Sequence, residues 1–188
     1  MFCTEEEVNK PLPEKKRRPA RSDDTYSDLY ELYKKTCQFY REEYHNTDNE
    51  TIKKEIELKI LDAHPRRTHE FNIQQNNGGL YIQNTDCKKT WEHINPLRDL
   101  VDRFLNDQIS VEYLLCPPIM WLSRDDDAKL RKAKLVKNTP DPFRPFKRYV
   151  LAGIDIETIK TIDGQTVGEN WTINDHLKLA KKHYSWFK

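Results

Sequence analysis

DTYSDLYELYKKTCQFYREEYH, residues 24–45, sets how the rest of the chain is read. Its tyrosines and its cysteine are Tyr26, Tyr30, Tyr33, Cys37, Tyr40 and Tyr44, separated by steps of 4, 3, 4, 3 and 4. That rhythm places them on one face of an α-helix, and Leu29, Leu32 and Phe39 widen the stripe. A helix with one apolar face needs a partner, and the next stretch supplies one. Thr47 and Glu50 have the spacing of a capping box, and Ile52, Ile56 and Ile60 line a second helix over 48–62. Pro65 ends it. The two predict a helical hairpin lobe over residues 23–64.

Working outward, the pattern changes after residue 64. His69 to Gln74 and Leu80 to Asn84 flank Asn76-Asn77-Gly78-Gly79, a good turn sequence because asparagine and glycine accept positive φ. A hairpin is expected there. Asn95-Pro96 opens a helix whose buried stripe is Leu97, Leu100, Val101, Phe104 and Leu105. Ile109, Val111, Tyr113 and Leu115 alternate, which predicts a strand stopped by Cys116-Pro117-Pro118. Ser123 with Asp126 caps a basic helix over 124–137. A proline-rich linker follows over 138–146. Residues 147–162 read as a strand that turns at Asp163-Gly164 and returns over 165–167. Ile173, Leu177, Ala180, Tyr184 and Phe187 give a closing helix over 173–186. The expected fold class is α+β: an N-terminal helical lobe, then a small antiparallel sheet with packed helices over 65–188.

Composition narrows the function classes. Charged residues make up 34% of the 188 and apolar ones 36%, with aromatics at 11% to fill a core. Five glycines leave little material for a phosphate-cradling loop. No apolar run approaches the roughly 18–20 residues that cross a bilayer. The four cysteines, at 3, 37, 87 and 116, form no CxxC pair, so reduced thiols in an intracellular compartment are expected. His64, His69, Cys87 and His93 have no standard zinc-ligand spacing. No metal and no cofactor is expected.

Charge is segregated although the net value is only +1. Residues 22–62 and 69–127 are each net acidic, and residues 129–148 hold eight bases against one acid. Residues 1–22 are proline-broken and without apolar periodicity, the pattern of a disordered basic arm. Within it Lys15, Lys16, Arg17, Arg18 and Arg21 resemble a nuclear localisation signal, in which an extended arm offers clustered cations to an importer. The basic block is the nucleic-acid candidate. Lys129, Arg131, Lys132, Lys134 and Lys137 can track phosphates, while Phe143 and Phe146 interleave with Arg144, Lys147 and Arg148 as a base-stacking set. A tyrosine seam of Tyr26, Tyr30, Tyr33, Tyr40 and Tyr44 suits a half-wet contact with a protein partner.

One short stretch points to chemistry. Asp155-Ile156-Glu157-Thr158 follows the apolar run 150–154 and resembles the first motif of DEDD-type exonucleases, including the proofreading domains of family B DNA polymerases. The resemblance covers some eight residues. It implies Asp155 and Glu157 on one strand face, holding two magnesium ions for displacement at phosphorus. Only 31 residues follow Glu157, too few for the rest of that fold, and no further aspartate motif appears. The favoured expectation is a nuclear interaction or adaptor protein within a larger assembly that contacts protein partners and nucleic acid. An exonuclease of this type is the alternative.

Overall fold

A computed structural model describes residues 23–63, 68 and 79–187. The basic arm and residues 69–78, the first strand and most of the turn of the expected hairpin, lie outside the described residues.

Helix α1 is Asp23–Asn46 and helix α2 is Glu50–Ala63, as the periodicity predicts. The cap of α2 differs from the expected box. Asn49 Oδ1 accepts from Thr51 N at 2.9 Å and Ile52 N at 3.3 Å, while Thr47 Oγ1 accepts from Asn49 N. Helix α3 is Leu97–Leu105 and buries the expected stripe from Leu100 to Leu105. Asn95 is not its cap. It is fully buried, accepting from the Tyr113 hydroxyl at 2.6 Å and donating to Thr139 Oγ1 at 3.3 Å. Asn106 closes α3, and the next residue, Asp107, takes φ 58°. Asp107 then receives Arg41 at 3.1 Å and His45 at 3.2 Å from α1, which ties the hairpin to the rest.

The fold class is α+β, and its sheet is mixed rather than antiparallel throughout. Strands β1 (Tyr81–Gln83), β2 (Lys89–His93), β3 (Ile119–Ser123) and β4 (Ile159–Thr161) lie in the order β2-β3-β1-β4. β2 pairs antiparallel with β3 and β1 antiparallel with β4, but β1 and β3 run parallel. Gly79 leads into β1 at φ 98°, where a Cβ would sit 2.7 Å from the Ile119 carbonyl oxygen. Only glycine allows that approach.

Three further sequence expectations are corrected. The alternating stretch 109–115 is not a strand: helix α4 is Val111–Leu115, because Ser110 caps it by accepting from Tyr113 N and its four apolar residues, Val111, Tyr113, Leu114 and Leu115, are all buried. The expected long strand over 147–162 is broken. Lys147–Leu151 forms helix α6, Gly153 turns the chain at φ 72°, and Ile156–Thr158 is a 3-10 turn. Only Ile159–Thr161 is strand, and it does turn at Asp163-Gly164 to a single bridge between Lys160 and Thr166. The basic helix α5 ends early, as Arg124–Lys132.

Helix α7, Ile173–His183, starts with a full capping box between Thr172 and Asp175. One sheet face meets the helices. Tyr81, Gln83, Met120, Leu122, Ile159 and Thr161 are buried there. On that face His176 of α7 bonds Tyr81, and Arg148 of α6 pairs with Glu92 of β2. The other face carries a row in register across all four strands: Trp91, Trp121, Ile82 and Lys160. Beyond α7, Tyr184, Trp186 and Phe187 fold back into the core beside Tyr30.

Candidate nucleic-acid and partner surfaces

The basic block divides into a surface half and a core half. Ser123 caps α5 through Asp126 N, and Asp126 is held by Gln83 and by Lys129 at 2.7 Å. Burial pushes the Asp126 carboxyl up, but the Lys129 and Gln83 hydrogen bonds outweigh it and hold it below the usual carboxylate range. The last turn then exposes Lys129, Arg131 and Lys132. The helix closes with Lys134 N donating to Arg131 O and Leu135 N to Leu130 O, a Schellman pattern with Lys134 at φ 58°. Lys134 and Lys137 are exposed as well. Lys129 pairs with Asp126 and Arg131 with Asp127, whereas Lys132, Lys134 and Lys137 have no acidic partner among the described residues.

Residues 138–148 behave differently. Arg144 and Lys147 both reach Asp141, at 3.4 and 3.7 Å, and so spend their charge locally. Phe143 keeps 45% of its surface, while its carbonyl accepts from Ile173 N. Phe146 and Arg148 are corrections to the expected binding set, since both have 0% exposure. Phe146 packs on Tyr81 with ring centroids 5.1 Å apart. Arg148 pairs with Glu92, donates to the carbonyl oxygens of His93 and Leu135, and lies over the Tyr149 ring. An alternation of cations and aromatics suggests stacking on nucleic acid, but here α6 turns alternate members inward. A fully buried arginine whose terminal nitrogens meet a carboxylate and two carbonyls, with Nε left without a partner among the described residues, is a core element.

The tyrosine seam is also largely internal. Tyr26 and Tyr30 are buried, and Tyr33, Tyr40 and Tyr44 pack partly buried against the same core. The half-wet seam expected for a partner is therefore occupied by α2, α3 and α4 and by the aromatic C-terminal residues. Lys15, Lys16, Arg17, Arg18 and Arg21 lie outside the described residues.

Asp155 and Glu157 are not two steps apart on a strand. Asp155 caps the 3-10 turn, its Oδ1 accepting from Glu157 N at 3.0 Å. Among the described residues no group of three His, Cys, Asp or Glu side chains could hold a metal ion. What the sequence reading missed is a groove of about 560 Å³ beside this turn. Val150, Ile156 and Val167 floor it, with Asp155, Glu157 and Glu169 at its rim. The signal was present as acids alternating with aliphatics over 154–157, but an assumed straight strand hid it.

Comparison with protein-family models, with curated proteins and with solved structures found no match. Among the described residues no helix is long and apolar enough to cross a membrane.

Proposed function

We propose that this chain is a nuclear interaction protein that works within a larger assembly and holds nucleic acid by its phosphates, through the cations that close α5. The observation that supports the nucleic-acid part is the trio Lys132, Lys134 and Lys137, exposed and without acidic partners among the described residues. Lys134 sharpens it. A lysine at positive φ costs roughly 1 kcal/mol that glycine would avoid, so the chain carries a cation where backbone geometry favours none. Phe143, exposed in the same stretch, offers a ring to an unpaired base. The nuclear part rests on the resemblance of Lys15 to Arg18 and Arg21 to an import signal.

The test has two readouts. Fluorescence anisotropy against single-stranded and duplex oligonucleotides across a salt series should show affinity falling with salt. Replacing Lys132, Lys134 and Lys137 by alanine should flatten the log–log slope by about 2 units, since each phosphate contact contributes about 0.7–0.9. An unchanged slope overturns the site. In cells, a fusion too large for passive diffusion should lose nuclear accumulation when Lys15, Lys16, Arg17 and Arg18 become alanine. Retained accumulation overturns the import reading.

A further inference from the structure

The groove beside the 3-10 turn has three properties that belong together. Its floor is aliphatic: Val150 keeps 38% of its surface and Ile156 is half-buried, while Val167 beside them is fully buried. Its rim is acidic. Asp155, Glu157 and Glu169 are exposed, and none of them has a cationic partner among the described residues. Its third property is an open backbone edge. The bridge between Lys160 and Thr166 is flanked by Thr161 N donating to Gln165 O at 2.8 Å and Val167 N donating to Ile159 O at 3.0 Å. In such an antiparallel pair the central residue's own N–H and C=O point away from the partner strand. Thr166 therefore turns both groups outward, and neither has a hydrogen-bond partner among the described residues. Thr166 lines the groove.

We propose that this groove receives an extended, basic segment of a protein partner, added as a strand along Thr166. An added strand would use the open N–H and C=O for main-chain hydrogen bonds, and alternate side chains would meet floor and rim. Aliphatic side chains settle against Val150 and Ile156. Lysines or arginines on the other positions meet the three carboxylates. Charge also selects among occupants. A second copy of this chain, edge to edge, would set carboxylate against carboxylate, and nucleic acid would set phosphate against them. A cationic peptide is the occupant that relieves the rim.

The probe is a fluorescein-labelled heptapeptide alternating lysine or arginine with valine, titrated into the full chain and followed by anisotropy. Two control peptides replace its basic residues by glutamate or N-methylate its central amide. The protein variant is Asp155→Asn with Glu157→Gln and Glu169→Gln, which removes charge and keeps a capping side chain at 155. Circular dichroism and thermal melting of the variant establish that it folds. The expected result is saturable binding that weakens about tenfold or more in the variant and that both control peptides lack. Equal binding to protein and variant, or binding undiminished by N-methylation, overturns the proposal. A peptide of residues 10–21 that outcompetes the probe assigns the groove to the chain's own arm, and this too overturns the partner reading. The α5 cations play no part in this test, so it stands or falls separately from nucleic-acid binding.

Discussion

Tyr30 brings a phenol ring into an aromatic pocket, 5.3 Å from Trp186 and 5.5 Å from Phe187 between ring centroids. Its hydroxyl is buried and finds no hydrogen-bond partner among the described residues, and burial with Glu112 nearby pushes its pKa well up. A buried hydroxyl with no partner forfeits its water hydrogen bonds for nothing, about 1–3 kcal/mol. The ring contributes and the oxygen costs. Tyr30→Phe should therefore raise stability by about 1 kcal/mol, read as a higher denaturation midpoint with an unchanged denaturant slope. A lowered midpoint would mean that the hydroxyl is satisfied by water. The sequence showed that Tyr30 faces inward with Tyr26, because a helical step pattern is a direct record of a face. It could not show that Arg148 also faces inward. Charge predicts exposure, and it is Glu92, 56 positions away, with the His93 and Leu135 carbonyls, that makes burial of that guanidinium tolerable.

Among the elements, His176 ties α7 to the sheet from within the core. His176 Nε2 lies 2.7 Å from the Cys116 carbonyl oxygen, which can only accept, so Nε2 carries the proton. Nδ1 then accepts from the Tyr81 hydroxyl at 2.9 Å, and that hydroxyl accepts from Trp171 Nε1 at 3.1 Å. Burial of the ring pushes its pKa down to about 4, against the pull of the Cys116 carbonyl. An imidazole with a folded pKa below its unfolded 6.5 takes up a proton more readily when unfolded. Its contribution is full above pH 6.5 and fades as pH falls towards 4, by roughly 3 kcal/mol. Denaturant titrations from pH 7.5 to 4 should show this loss, and the non-titrating His176→Gln should lack most of it. Equal pH dependence in both proteins would assign the loss to carboxylates. Helices α1, α2, α3 and α7 were legible because each repeats its apolar step over two turns or more. The short pieces were not. Five apolar-rich residues fit a strand and a buried helix equally, and at Val111–Leu115 the Ser110 cap decides. β3 was hidden because Cys116-Pro117-Pro118 reads as a stop, whereas here it directly precedes a strand buried on both faces over most of its length. The groove beside Asp155 was hidden by the straight strand expected over 147–162, since its floor depends on α6 and its rim on the 3-10 turn.

At the scale of the whole molecule, the two ends of the described chain share one core. Tyr26 and Tyr30 of α1, Ile56 and Ile60 of α2, the sheet residues Tyr81 and Met120, and the C-terminal Tyr184, Trp186 and Phe187 belong to a single buried cluster. Trp186 is its best-placed link. It is 1% exposed, stacks on Tyr184 with centroids 5.3 Å apart, and meets both Tyr30 and Phe187. Nothing in residues 24–45 alone specifies this, because the apolar stripe of α1 records that a partner exists and not which one. Removing the indole should therefore weaken the helical hairpin and the sheet together. Trp186→Ala should cost about 3–5 kcal/mol, the range for deleting a large buried aromatic side chain. The informative reading is the form of the transition. Far-ultraviolet circular dichroism reports mainly α1, α2 and the other helices, and near-ultraviolet signals report the packed aromatics. In the variant both should fall at one lowered denaturant midpoint, the mark of a single cooperative unit. Two separated transitions, with helix signal lost before aromatic signal, would mean that the hairpin holds its own core. Trp186 would then be a local clasp, and a partner could peel the hairpin away without unfolding the sheet.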